Sequence, residues 1–180
     1  MKWLLYLLGG GIGLLLLAVV ILLAIGMRQG AGRFETSIEI ARPAPVVFSW
    51  ITEPDRVKSW IGWMIEIRSL TPGQTGVGTR EVWVVEDRNN NNQRMDIEVE
   101  TTRVDPNRAL EASLTAPMGF TGRVVYQLEP LDANRIRLTY KASFDYANWL
   151  ARLMEPLISR SAGQKLQEDL ERLKQKAEAE

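Results

Sequence analysis

Apolar and polar residues alternate with a period of two along most of the chain after residue 33, which predicts strands buried on one face. The first such segment covers residues 34–41, FETSIEIA. Turn-forming residues separate the later segments at hairpin spacing, so we expect an antiparallel sheet of about seven strands. The later segments are residues 64–70, 79–86, 95–102, 109–115, 120–129 and 136–144.

Helical periodicity occurs in three places after residue 41. Residues 46–51 and 56–60 predict two short helices. Pro43 and Pro45 suit a turn or a first helical turn, and Glu53-Pro54-Asp55 separates the two helices. From Asn148 onward, apolar residues recur every three or four positions, which predicts one long amphipathic helix. The charged end of this helix, Lys174 to Glu180, is expected to fray into water. The apolar stripe expected to be buried comprises Leu150, Leu153, Met154, Leu157 and Ile158, and the residues expected to be exposed are Arg152, Glu155 and Arg160.

The N-terminal leader has a different pattern, with no charged residue from Trp3 to Met27. A helix of this length covers a hydrocarbon core of about 30 Å at about 1.5 Å per residue. We therefore expect an uncleaved transmembrane signal anchor at residues 1–28, a linker at 29–33 and one domain at 34–180. A cleaved signal peptide is the alternative, although its apolar run is about 7–15 residues. Basic residues flank the run on both sides, so the orientation stays open.

Composition narrows the possible chemistry. The 180 residues include 22 Lys and Arg, 22 Asp and Glu, and neither His nor Cys. This excludes a Cys nucleophile, a Ser-His-Asp triad, a Cys/His zinc site and a disulfide. The balanced charge argues against a nucleic-acid partner. The asparagine-rich segment 87–93 lacks the spacing of an EF-hand, so we expect neither a metal nor a cofactor.

Residues 41–64, ARPAPVVFSWITEPDRVKSWIGWM, resemble the opening strand-to-helix passage of the START-like (SRPBCC) superfamily of polyketide cyclases and lipid-transfer proteins. Residues 71–87, 104–114 and 125–140 are similar to its later strand-turn-strand segments, and the resemblance spans about 34–175. It implies an α+β helix-grip fold, a curved antiparallel sheet around a long C-terminal helix, here preceded by one transmembrane helix. Members bind lipids, quinones, hormones or polyketides, and some catalyse cyclisation, so the resemblance implies fold more specifically than function.

A sheet that curves around a helix leaves space that its own side chains do not fill, and such a space forms an apolar small-molecule site. For each candidate wall residue, plain core packing is favoured over ligand contact, because the domain needs much of this surface for its stability. Arg103 falls in the inward phase of its strand, where it would need an acidic partner or a ligand carboxylate. The side on which Glu81 lies is undecided. The candidates are Phe48, Met95, Ile97, Val99, Arg103, Phe120, Tyr126, Tyr140, Phe144, Met154 and Ile158.

The leading hypothesis is a membrane-anchored binding module for a hydrophobic small molecule that is lipid-, quinone- or polyketide-like. No catalytic motif of the superfamily matches residue by residue, so an enzyme is the less favoured interpretation. The alternatives are a cyclase- or dehydratase-type enzyme that uses Tyr or carboxylate groups in the same cavity, and a protein-interaction module at the membrane. The identity of the ligand and the side of the membrane stay open.

Overall fold

The computed structural model describes residues 2–26, 32–87, 92–117, 120–146 and 149–180. Side chains are described throughout these ranges except at residues 2, 4–8, 25, 26, 87 and 149–159. The helices are α1 (Lys2–Gly26), α2 (Ala44–Thr52), α3 (Pro54–Trp60) and α4 (Trp149–Ala179). The strands are β1 (Arg33–Ile40), β2 (Met64–Ser69), β3 (Arg80–Asp87), β4 (Gln93–Asp105), β5 (Ala109–Ala116), β6 (Phe120–Asp132) and β7 (Arg135–Tyr146).

The strands form one antiparallel sheet in the order β1-β7-β6-β5-β4-β3-β2. From β2 to β7 each strand pairs with the next one in the chain, which confirms the predicted succession of hairpins. β1 pairs with β7, with Arg33 opposite Ser143 and Ile40 opposite Ile136. The fold is therefore α+β, with a seven-stranded sheet and one long C-terminal helix, as expected.

Alternate positions of the strands point toward α2, α3 and α4, and we call this the inner face of the sheet. At one end of β1 and β7, the inner face is packed solidly against these helices. Ile40 and Leu138 are excluded from solvent there, together with Leu170 and Leu173 of α4 and Trp60 of α3. This end supplies the most completely buried part of the hydrophobic core.

The C-terminal end of α4 is held by the domain, so the prediction that Lys174 to Glu180 frays into water is wrong. Ala177 is fully buried, and Arg42 donates hydrogen bonds to the carbonyl oxygens of Ala177 (2.9 Å) and Glu178 (2.7 Å). The amide of Ala41 donates to the Glu178 carboxylate at 2.7 Å. The two bonds from Arg42 satisfy backbone carbonyl groups that a helix end otherwise leaves to water.

The last residue of the chain takes part in the same anchorage. The guanidinium of Arg56 donates to both carboxylate oxygens of Glu180, at 2.6 and 3.0 Å. The indole nitrogen of Trp50 also donates to Glu180 at 3.0 Å, and the Arg56 guanidinium lies 5.0 Å from the centre of the Trp50 ring. We call the contacts of Arg42, Trp50 and Arg56 with residues 177–180 the C-terminal clamp.

Asp169 fastens α4 to the segment that joins α3 and β2. Its carboxylate is buried and accepts hydrogen bonds from the Gly62 amide (3.0 Å), the Trp63 indole (2.8 Å) and the Arg172 guanidinium. Arg172 also donates to the carbonyl oxygen of Trp60 at 3.0 Å. The second half of α4 is therefore fixed both by apolar packing and by a buried polar contact.

The first half of α4 is continuous in backbone through Pro156. The predicted buried stripe of Leu150, Leu153, Met154, Leu157 and Ile158 lies outside the described side chains, and so do Arg152 and Glu155. Arg160 is exposed, as predicted.

The predicted transmembrane segment coincides with α1, which lies beside α4. Within the described part of the chain, no helix is long and apolar enough to cross a membrane. Within α1, side chains are described for Trp3 and for residues 9–24.

Candidate ligand-binding site

Five aromatic side chains gather on the inner face of β1, β6 and β7, beyond the solidly packed end. Three ring pairs meet edge to face: Phe34 with Phe144 and Phe120 with Phe144, each at 5.8 Å between centroids, and Tyr126 with Tyr140 at 5.0 Å. Tyr126 is buried, and the other four side chains are partly buried. We call these five residues the aromatic patch.

Glycine at position 122 makes room for one ring of the aromatic patch. A Cβ atom added to Gly122 would lie 2.5 Å from Cδ1 and 2.7 Å from Cε1 of Phe144, well inside van der Waals contact. Gly122 is paired with Phe144 across β6 and β7. The ring of Phe144 therefore lies over the bare backbone of the neighbouring strand, where it also reaches Phe34 and Phe120.

The two tyrosines of the patch are cross-strand partners, Tyr126 on β6 and Tyr140 on β7. Burial raises the pKa of both phenols well above the ordinary value, and the neighbouring Tyr140 also raises the pKa of Tyr126. The phenols therefore stay protonated at neutral pH and act as hydrogen-bond donors. Among the described residues, neither hydroxyl has a hydrogen-bond partner.

Other polar groups on the inner face are bonded to one another. The Thr36 hydroxyl donates to the Gln167 side-chain oxygen at 2.9 Å, which links β1 to α4. The Trp83 indole donates to the Glu81 carboxylate at 2.9 Å, and both side chains lie on the inner face, which settles the open question about Glu81. Within the described ranges, no three acidic side chains are grouped so that they could hold a metal ion.

Arg103 does not belong to the inner face, so its predicted inward orientation is wrong. A bulge in β4 places Thr101 opposite Ala112 but Arg103 opposite Glu111, which inserts one extra residue and reverses the alternation. The Arg103 side chain is 59% exposed and pairs with Glu111 at 3.2 Å on the outer face. Arg123 pairs with the same carboxylate, and its hydrogen bond is the largest cause of the lowered pKa of Glu111.

The remaining candidates divide into three groups. Ile97 and Val99 are buried in the core, while Met95 and Phe48 are partly buried against it. Met154 and Ile158 lie outside the described side chains.

Sequence reasoning did not include Phe34 among the candidates, although Phe34 shares the inward phase of its strand. Its position beside Phe144 depends on the pairing of β1 with β7.

A protein-family model described as polyketide cyclase / dehydrase and lipid transport matches residues 31–178. The chain belongs to this family. The match covers the whole domain that carries the aromatic patch and confirms the resemblance seen in the sequence. A search of the curated proteins finds no match for the chain.

Solved structures share the fold of this polyketide cyclase / dehydrase and lipid transport domain at low sequence identity. A conserved protein from Geobacillus kaustophilus is 14% identical, with a TM-score of 0.68 over 81% of this chain and 94% of that protein. The Zhui aromatase/cyclase from Streptomyces sp. R1128 is 17% identical, with a TM-score of 0.64 over 81% of this chain and 93% of that protein. A protein from Rhodobacter sphaeroides is 21% identical, with a TM-score of 0.60 over 83% of this chain and 93% of that protein. At such identities the likeness supports the fold alone.

Proposed function

We propose that the domain binds a hydrophobic small molecule against the aromatic patch. The observation that carries this proposal is the unequal covering of the inner face. Around Ile40 and Leu138 the face is sealed from solvent, whereas Phe34, Phe120, Tyr140 and Phe144 are left partly exposed although they point to the same side. Large apolar side chains with few polar groups among them are the usual lining of a small-molecule site.

Fluorescence of the apolar probe N-phenyl-1-naphthylamine tests this proposal on the full chain in mild detergent, with a detergent blank. We expect saturable binding that Phe120→Asp weakens at least about tenfold, because a carboxylate placed among aromatic rings penalises an apolar ligand. Leu70→Asp is the matched control, since Leu70 is an exposed large apolar residue outside the patch. Equal binding by both folded variants, or no saturable binding by the unaltered chain, would contradict the proposal.

We propose further that α1 attaches the domain to a membrane. Large apolar residues on α1 are exposed rather than packed. Leu14, for example, is 71% exposed to solvent. An exposed surface of this kind is unfavourable in water, and its contact with acyl chains would remove that penalty. The further apolar residues exposed with Leu14 are Trp3, Ile12, Leu15, Leu16, Leu17, Val20 and Ile21.

Extraction of membranes at alkaline pH tests the attachment. The unaltered chain is expected in the pellet, and Leu14→Arg is expected to shift much of it to the supernatant, because an arginine at the centre of an inserted helix costs about 2.5–3.5 kcal/mol. Val77→Arg is the matched control, because Val77 is an exposed apolar residue of the domain. Release of the unaltered chain by alkali would refute the attachment without affecting the binding proposal.

A cyclase- or dehydratase-type enzyme is the alternative for the same surface. Its best candidates for proton transfer are Tyr126 and Tyr140, which lie side by side. Their raised pKa values make them poor proton donors and poor bases near neutral pH. Binding is therefore the function that we propose for this surface.

A further inference from the structure

An open depression lies on the outer face of the sheet, which points away from α2, α3 and α4. It crosses β1, β7 and β6 and has a volume of about 260 Å³. We call it the outer depression, and the polar residues that line it are Arg33, Glu35, Arg123, Lys141 and Ser143. Arg33 on β1 and Arg123 on β6 are both paired with Ser143 on β7, so this serine lies between the two arginines.

Three cations line the outer depression, and two of them are paired with acids. Lys141 contacts Glu35 at 3.2 Å, and Arg123 contacts Glu111 on β5. The side chain of Arg33 has neither an ion pair nor a hydrogen bond within the described part of the chain. One positive charge of the depression is therefore left without an acidic partner.

The hydrogen-bond donors of the outer depression suit a phosphodiester group. Arg33 and Arg123 lie on either side of Ser143, two strand spacings or about 10 Å apart at the backbone. A guanidinium group has a planar fork of N–H donors that fits phosphate oxygens. The Ser143 hydroxyl, for which the described residues supply no partner, adds a further donor. A phosphodiester has one negative charge, which matches the charge of Arg33.

The position of Arg33 in the chain keeps the outer depression close to α1. Residues 27–32 separate Gly26, at the end of α1, from Arg33, at the beginning of β1. A chain spans at most about 3.3–3.6 Å per residue, so Arg33 lies within about 25 Å of the end of α1. When α1 lies in a bilayer, the phosphodiester groups within this reach are those of the lipid headgroups.

We propose that the outer depression binds the phosphodiester group of an anionic phospholipid, such as phosphatidylglycerol, and so holds the domain against the membrane surface. The inference rests on the proposed attachment of α1 to a membrane and names the lipid class that the domain itself contacts. Arg33 supplies the charge, while Arg123 and Ser143 supply further donors. Asp145, an exposed acid two positions after Ser143 on the same face, opposes the binding.

A fluorescent label on one added cysteine tests the inference, because the chain has no cysteine of its own. Thr121→Cys places the label on the outer face of β6 near Arg123, and Gln127→Cys places it on the same face about 20 Å further along. The full chain is inserted into phosphatidylcholine vesicles with or without one third phosphatidylglycerol. A lipid with a quencher on its headgroup reports how closely each label approaches the surface. Phosphatidylglycerol should increase quenching at position 121 and leave quenching at position 127 nearly unchanged.

Removal of single charges separates a defined site from general attraction. Arg33→Gln should lower the ratio of docked to free domain about fivefold, since one basic residue near an anionic surface contributes about 1 kcal/mol. Arg108→Gln is the matched control, because Arg108 is exposed, has no ion pair within the described ranges and lies at the other end of the sheet. Asp145→Asn should raise the ratio. All three positions are exposed, so the variants are expected to fold.

The deacylated headgroup glycerophosphoglycerol distinguishes a lipid from a free phosphodiester. At the same total concentration as phosphatidylglycerol it should not displace the domain, because α1 holds the depression beside the lipid at a high effective concentration. Displacement under these conditions would assign the depression to a soluble phosphodiester and overturn the lipid inference.

The remaining outcomes separate this inference from the proposed attachment. If phosphatidylglycerol does not change quenching at position 121, or if Arg33→Gln and Arg108→Gln have equal effects, the headgroup inference is overturned and the attachment stands. If the full chain does not float with the vesicles, both are overturned. A response to phosphatidylglycerol that Arg33→Gln weakens and Asp145→Asn strengthens supports the inference.

Discussion

Leu173→Ala tests whether the C-terminal half of α4 is a structural part of the core. Leu173 is 0% exposed and lies four residues after Asp169, which pins the helix to the α3–β2 segment. Because this stretch is held on both sides of position 173, by Asp169 and by the C-terminal clamp, the helix cannot move inward to fill the vacated space. Large-to-small substitutions at such sites cost about 2–5 kcal/mol, and we expect the upper part of this range, about 3–5 kcal/mol.

Thermal unfolding of the full chain in detergent, followed by circular dichroism, measures this loss. For a domain of this size, about 2–4 °C per kcal/mol predicts a decrease in Tm of about 6–20 °C. Leu70→Ala is the control, since Leu70 is an exposed leucine, and it should change Tm by less than about 2 °C. If Leu173→Ala behaves like Leu70→Ala, the end of α4 is not packed in solution and the reasoning fails.

Three further predictions concern other parts of the domain. The Glu111 pKa is lowered in the folded state, so the stability that ionised Glu111 contributes is present above about pH 4.3 and is lost as the pH falls toward its folded pKa. In urea titrations, Glu111→Gln should therefore lose less stability between pH 5 and pH 3 than the unaltered chain does. An equal loss in the two proteins would refute this. Gly122→Ala should lower the free energy of unfolding by about 1–3 kcal/mol, because the added methyl group meets the Phe144 ring. Gly163→Ala should raise it by up to about 1 kcal/mol, because Gly163 lies in α4 with open space around it. Equal effects of the two substitutions would contradict the described packing of the aromatic patch. Arg56→Gln should speed amide hydrogen exchange in the last turn of α4, measured by mass spectrometry, while protection in β7 stays unchanged.

The sheet could be predicted from the sequence because its signals are local. Alternation of apolar residues and turn residues such as Asp105-Pro-Asn107 specify each hairpin without knowledge of the rest of the chain. Extending this alternation past Thr101 gave the wrong side for Arg103. A bulge depends on how two strands align, and nothing in the β4 sequence by itself marks the extra residue between Thr101 and Arg103.

The end of α4 could not be predicted for a similar reason. Four of the seven residues 174–180 are charged, and a charged helix end with no visible partner is expected to be solvated. The partners Arg42 and Arg56 lie more than a hundred positions earlier in the chain, so only the folded arrangement brings them to the helix end. The tyrosine pair was within reach of sequence analysis as inward-facing residues.

The pairing of β1 with β7 has a consequence for the order in which the domain assembles during synthesis. Arg33 and Ile40 pair with Ser143 and Ile136, about 100 positions later, while every other strand finds its neighbour in the next hairpin. At a synthesis rate of about 5–20 residues per second, β1 waits about 5–20 s before its partner exists. During that interval Phe34 and Ile38 have no strand beside them, and their exposure makes this segment the one most open to mispairing or chaperone binding. The addition of β1 to the sheet is thus a late event that depends on contacts distant in sequence, the kind that slows folding most.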